Sequence, residues 1–197
     1  EQDYGKRHQM TSLRCHVRKY KDFLDYCERL IGKPIYDFDK DPDKPFISAG
    51  QFKKIVSLLK SKKNIILEGA PGVGKTFLAR KIAYQLIGEL KDENIEMVQF
   101  HQSYSYEDFV QGIRPSEEGG FERKNGIFFD FCSKARRSPD QQFVFIIDEI
   151  NRGNISKILG ELMMLIEADK RKKQYAIKLT YSNEDDERFF VPENVYL

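Results

Sequence analysis

The run Gly69-Ala70-Pro71-Gly72-Val73-Gly74-Lys75-Thr76 constrains this chain more than any other stretch. It satisfies every fixed position of the pattern GxxxxGK[ST], in which glycines let the backbone curl until successive N–H groups face one anion. The pattern requires a strand before it and a helix after it. The helix N-terminus contributes unsatisfied N–H groups and the positive end of its dipole. Both flanks comply: Ile65-Ile66-Leu67 reads as a short buried strand over 64–68, and Phe77, Leu78, Ile82, Leu86 and Ile87 mark the apolar side of a helix. The loop, with Phe77 directly after it, is therefore expected to bind a nucleoside triphosphate. Lys75 is placed to reach the β- and γ-phosphates and to act in catalysis, and the Thr76 hydroxyl to coordinate Mg²⁺.

A second feature completes the chemistry. Phe143-Val144-Phe145-Ile146-Ile147 reads as a central parallel strand buried on both faces, and it delivers Asp148 and Glu149 at its C-terminal edge. Many strands end in a solvated acid, so this run alone carries little. Paired with a complete phosphate loop it assigns Asp148 to the Mg²⁺ shell and Glu149 to the attacking water as general base.

Between and around these blocks helices alternate with strands. Ser48 and Gln51 form a capping-box pattern ahead of a helix carrying Phe52, Ile55, Val56, Leu58 and Leu59, which ends in the basic stretch Lys60–Lys63. A strand is expected over Glu96–His101 and a short helix over Tyr104–Gln111. Gly119-Gly120 and Asn125-Gly126 signal a hairpin or loop, and a helix over Ile127–Arg137 stops before Pro139. A helix from Ile155 to about Ala168 follows, then strands over Tyr175–Thr180, Arg188–Val191 and Asn194–Leu197. This alternation predicts an α/β fold with a mostly parallel sheet. Ahead of it, Leu13, Val17, Tyr20, Leu24, Cys27 and Ile31 recur at helical spacing, and the Asp- and Pro-rich stretch 41–45 reads as a linker. The expected division is a helical segment and linker over 1–45 and a nucleotide-binding core over 46–197.

Composition places no further limit on the chemistry. Among 197 residues, 40% are hydrophobic and 32% charged, with a net charge of +2, which is ordinary for a soluble globular chain and neither demands nor excludes nucleic acid. No apolar run approaches the roughly 18–20 residues that span a bilayer, and Glu1–Arg7 is polar where a secretory signal would be apolar. Three cysteines with no CxxC pair argue against a disulfide framework, so a cytoplasmic location with no membrane partner is expected. The three histidines lack metal-ligand spacing, and no zinc is expected.

The phosphate loop, the Asp-Glu strand and the helices between them resemble an AAA+ ATPase-type module, an αβα sandwich. More narrowly, Glu68–Thr76, Met97–Phe109, Ile146–Arg152 and Phe190–Tyr196 are similar to the McrB family, from about Phe46 to the chain end. Its members are GTP-hydrolysing motor subunits of 5-methylcytosine-specific, modification-dependent restriction systems. The resemblance implies GTP as fuel with Mg²⁺, a homo-oligomeric ring, commonly a hexamer, an endonuclease partner subunit, and DNA in the complex. Guanine choice comes from the resemblance alone, since no Asn here is followed by Lys and the NKxD guanine reader is absent. The family also carries a sensor Asn, arginines and a helical lid beyond the position of Leu197. An arginine finger is worth on the order of 10³–10⁵ in rate, so this stretch alone is expected to be nearly inert. Rival readings are an ATP-dependent remodelling motor without a restriction role, a scaffold that binds nucleotide without turnover, and a phosphate-loop kinase.

Weaker features carry two readings each. Asn151 and Arg152 suit a subunit boundary or sensor role, or a turn cap before the next helix. Tyr104, Tyr106 and Phe109 suit a pore loop that grips a strand, with core packing the preferred alternative. Lys170-Arg171-Lys172-Lys173 could meet DNA phosphates, with a solvated loop preferred.

Overall fold

The computed structural model describes residues 35–90, 92–117 and 119–197; the apolar helical seam read over Leu13–Ile31 lies outside them. One compact unit runs from Tyr36 to Leu197. Residues 36–45, which the expected division put with the helical segment and linker over 1–45, belong to this unit because two of their aromatics are core. Tyr36 and Phe38 are buried, and Phe38 stacks on Phe52 with ring centroids 4.3 Å apart.

Helix α1 (Ala49–Lys62) opens on the expected capping box: the Gln51 amide donates to Ser48 Oγ, and the Ser48 amide donates to Gln51 Oε1. It closes at Lys63, whose left-handed φ of 66° turns its own amide back to the Leu59 carbonyl. Helix α2 (Lys75–Ile87) follows the phosphate loop and packs beside α1, burying Ile82, Ala83 and Leu86. Strand β1 (Ile95–Gln99) comes next, then the single turn α3 (Tyr106–Phe109), shorter than expected because Gln111 already belongs to β2 (Gln111–Pro115). Strand β2 pairs antiparallel with β3 (Phe121–Asn125), and Gly119 and Gly120 make the turn at φ 90° and 86°. Gly126 takes no part in that turn. At φ −84° it is the N-cap of α4 (Ile127–Arg137) and packs onto the Phe109 backbone.

Strand β4 (Phe143–Asp148) is the centre of a parallel sheet of order β1-β4-β5, with β5 at Val195–Tyr196. Its alternation explains the uninterrupted apolar run. Phe143 and Phe145 enter the larger core with α4 and the segments after β4, while Val144 and Ile146 enter the core formed with α1 and α2. The expected helix over 155–168 breaks at Gly160, φ 49°, into α5 (Ile155–Leu159) and α6 (Leu162–Leu165). Of the strands expected after 175, the one over 194–197 forms a ladder at Val195–Tyr196. Ile177 and Phe189 make one isolated bridge, and Leu179, Phe189 and Val191 contribute burial to the core in place of a ladder.

Residues 64–68, expected as a buried strand, are extended chain beside β5. The Leu197 amide donates to the Lys63 carbonyl at 2.9 Å and the Ile65 amide to the Leu197 carbonyl at 3.0 Å, the pattern of one parallel bridge. Among the described residues Leu197 alone exchanges backbone hydrogen bonds with it, and Ile66 is 77% exposed. Among the described residues no helix is long and apolar enough to cross a membrane.

Candidate functional site

Strand β4 and helix α2 bring the two halves of the site together from residues far apart in sequence. The Phe100 amide donates to the Asp148 carbonyl at 2.9 Å, extending the β1–β4 ladder to the last residue of β4 and fixing the backbone that carries its carboxylate. The Thr76 hydroxyl, in the first turn of α2, donates to Asp148 Oδ2 at 3.2 Å. A hydroxyl and a carboxylate oxygen so close can share one small hard cation. Mg²⁺ fits such a set, since it takes one or two carboxylates and completes its shell with phosphate and water. Among the described residues no group of three or more His, Cys, Asp and Glu side chains gathers to hold a metal, so the ion at this site would depend on phosphate and water for the rest of its shell.

The loop itself has the conformation the glycines permit. Gly72 and Gly74 sit at φ 78° and 80°, in the left-handed region that side chains resist. Helix α2 starts at Gly74 without a side-chain cap, so its first-turn N–H groups remain available to an anion. Lys75 curls over the loop, its Nζ donating to the Gly69 carbonyl at 3.0 Å and the Ala70 carbonyl at 2.9 Å. Gly69, Ala70, Pro71 and Val73 are exposed, so the cradle opens to solvent. Phe77, 44% exposed, lies under the Lys81 ammonium at 5.1 Å from the ring centroid.

Glu149 has a positive φ, 51°, one of two such non-glycine residues described. At this sharp turn after β4 its amide donates to Asp148 Oδ1 at 3.0 Å. Backbone strain of this kind is held in place by its surroundings and clusters at working sites. Arg152 Nε donates to Glu149 Oε2 at 3.0 Å across the 3-10 turn Ile150–Arg152. The structure thus ties Arg152 to the acidic pair, whereas Asn151 is exposed in the same turn.

Two other expectations resolve. Phe109 is fully buried and stacks on Phe128 at 4.9 Å; Tyr106 is buried with its hydroxyl on Glu161 at 2.7 Å; Tyr104 stacks on Phe100. These aromatics are core, not pore. The basic run 170–173 is not simply a solvated loop. Arg171 is 1% exposed, with Nε on the Ile166 carbonyl at 3.0 Å and its two Nη groups on the Val195 carbonyl and Asn64 Oδ1. Burial pushes its pKa down to about 10, which leaves the guanidinium charged at neutral pH. No sequence signal marked Arg171 apart from its neighbours, because its partners are two backbone carbonyls and an amide distant in the chain. The contact of Asp41 with Lys81, 2.6 Å apart, was likewise hidden in a stretch that read as linker.

The AAA domain (dynein-related subfamily) family matches residues 64–193, a span that holds both the phosphate loop and the acidic pair. The Type IV methyl-directed restriction enzyme EcoKMcrB subunit of Escherichia coli (strain K12) is 57% identical, over 77% of this chain and 33% of its own length. The Type II restriction enzyme BsuMI component YdiS of Bacillus subtilis (strain 168) is 27% identical, over 61% of this chain and 42% of its own length. The chain therefore spans between a third and a half of the relatives it matches.

Proposed function

The chain belongs to the AAA domain (dynein-related subfamily) family, and from that premise we propose that it is the GTP-hydrolysing motor segment of a modification-dependent restriction complex. The observation that carries this reading is the 3.2 Å approach of the Thr76 hydroxyl to the Asp148 carboxylate at the mouth of the phosphate loop. In it, the backbone N–H groups of Gly69–Thr76, other than that of Pro71 which has none, and the first turn of α2 bind the phosphates, with Phe77 at the edge of the nucleotide. Lys75 exchanges its two loop carbonyls for β- and γ-phosphate oxygens. Thr76 and Asp148 would hold Mg²⁺, which when bound would offset charge on the phosphate oxygens. Glu149 orients the attacking water and takes its proton, and Arg152 fixes the direction of that carboxylate. Asn151 faces the subunit boundary.

Guanine as the base is supported by the likeness of Met97–Phe109, Ile146–Arg152 and Phe190–Tyr196 to the McrB family. The restriction role is supported by the relative from Escherichia coli, named for methyl-directed restriction. The protein is proposed to work as a homo-oligomeric ring, a hexamer, in the cytoplasm, with an endonuclease subunit that cleaves DNA moved by the ring. Glu149→Gln in the full-length protein is expected to preserve GTP binding and to lower turnover at least a hundredfold in the presence of the nuclease partner, about the contribution of a positioned base. Turnover at the unsubstituted rate would remove Glu149 from the mechanism.

A further inference from the structure

All strands of the main sheet run parallel, so its two ends differ in chemistry. The phosphate loop and Asp148 lie at the C-terminal ends. Lys63, Gln142 and Asn194 immediately precede the extended chain at 64–68, β4 and β5, and so lie at the opposite end. There they help line a cavity of about 610 Å³. A strand the length of β4 puts it on the order of 20 Å from the phosphate loop.

The lining of this cavity is one-sided in charge. Lys63, Arg136, Arg171, Lys172 and Lys173 face it, against a single acid, Glu193. Arg171 is buried and its bonds go only to neutral oxygens. Arg136 lies against the rings of Phe189 and Phe190 at 5.6 and 5.3 Å and donates to Ser133 Oγ. Lys63 Nζ donates to the Glu193 carbonyl and the Tyr196 hydroxyl, again neutral acceptors. Among the described residues none of the five cations is paired with a carboxylate. A buried cation without a counter-charge is costly, and an anion in the cavity would offset that cost. Lys172 and Lys173 are exposed at its rim, where they extend the positive field into solvent.

We propose that this cavity binds the phosphodiester backbone of duplex DNA, at the end of the module opposite the nucleotide. Phosphate suits it better than a protein carboxylate because two arginines and three lysines converge there, enough for more than one phosphate of a continuous strand. The choice of DNA among phosphate polymers rests on the restriction reading above. Contacts of this kind carry no sequence information; they set the register of the duplex on the motor.

The test uses full-length protein and a short unmodified duplex. Acetylation of Lys172 and Lys173, read by mass spectrometry, is expected to fall when duplex is added. The double variant Lys172→Gln/Lys173→Gln is expected to bind the duplex about tenfold more weakly at low salt. The slope of log affinity against log salt should become shallower by about two, one for each lost phosphate contact. Glu193→Gln, which leaves the carbonyl bound by Lys63 in place, is expected to tighten binding. Unprotected lysines or an unchanged salt slope would overturn the proposal, and so would equal protection by inorganic phosphate, which would mark a small-anion site. GTP binding measured on the same samples keeps the two readings separate. Protection of Lys172 and Lys173 in a protein that binds no GTP would sink the nucleotide reading and leave this one standing.

Discussion

At the scale of single residues, the site depends on side chains whose partners lie far away in sequence. Thr76 and Asp148 meet because α2 packs against β4, and Glu149 is aimed by a left-handed backbone that a β-strand alone would not produce. Arg171 shows the same dependence on a larger budget of burial. Its three bonds tie the end of α6, the start of β5 and the chain entering the phosphate loop into one knot. Arg171→Ala removes the donors to the Val195 carbonyl and Asn64 Oδ1 and leaves the Ile166 carbonyl with Asn64 Nδ2 at 2.7 Å, and is expected to destabilise the fold by about 2–4 kcal/mol. Arg171→Lys should not restore the loss, since one ammonium cannot reproduce the planar fork. Urea unfolding midpoints of the three proteins check both statements, and full recovery by lysine would contradict them.

Elements add constraints that no single residue carries. Gly126 joins the hairpin to α4 where a Cβ would come within 2.4 Å of the Phe109 carbonyl carbon. The obstacle is backbone and cannot swing aside, so Gly126→Ala is expected to cost about 1–3 kcal/mol, as overpacking does. A thermal unfolding midpoint unchanged by this substitution would show that α3 gives way instead. The strap 36–41 is held to α2 by Asp41 and Lys81, both largely buried. Burial works against the charge on Asp41, and the hydrogen bonds from Lys81 and the Asp43 amide outweigh it, holding its carboxyl below the usual carboxylate range. Because the folded value lies below the unfolded one, this stabilisation is complete above the ordinary carboxylate pKa of about 3.9 and is lost as pH falls through the folded value. Unfolding midpoints taken from neutral pH into that acid range should fall more steeply for the unsubstituted protein than for Asp41→Asn; parallel curves would exclude the pair as a contributor.

The elements also show what was legible in sequence and why. Helix α1 with its capping box, α4 with its stop before Pro139, and the apolar run of β4 were readable because their signals are local. That 64–68 would stay outside a ladder, and that the helix would break at Gly160, were not. A strand exists only where a neighbour supplies a ladder, and apolar periodicity over 155–168 continues straight through a glycine that the fold uses as a hinge. The same division applies to the site: the loop and the acids stood in the sequence, while the ion pair of Glu149 with Arg152 and the cavity around Arg171 required three dimensions.

At the scale of the whole molecule, the parallel sheet separates two chemistries, with the phosphate loop and the acids Asp148 and Glu149 at one end and, among the described residues, cations with no carboxylate partner at the other. The two cores on either face of β4 join them, one built with α1 and α2 and the other with α4, α5 and α6. The proposed function rests on the nucleotide site, and its most direct test is equilibrium binding of GTP and of ATP to the full-length protein with and without Mg²⁺. Tight Mg²⁺-dependent binding of GTP, at least tenfold weaker binding of ATP (about 1.4 kcal/mol) and loss of both in Lys75→Ala are expected. Failure to bind either nucleotide, or binding that Lys75→Ala leaves intact, would contradict the account.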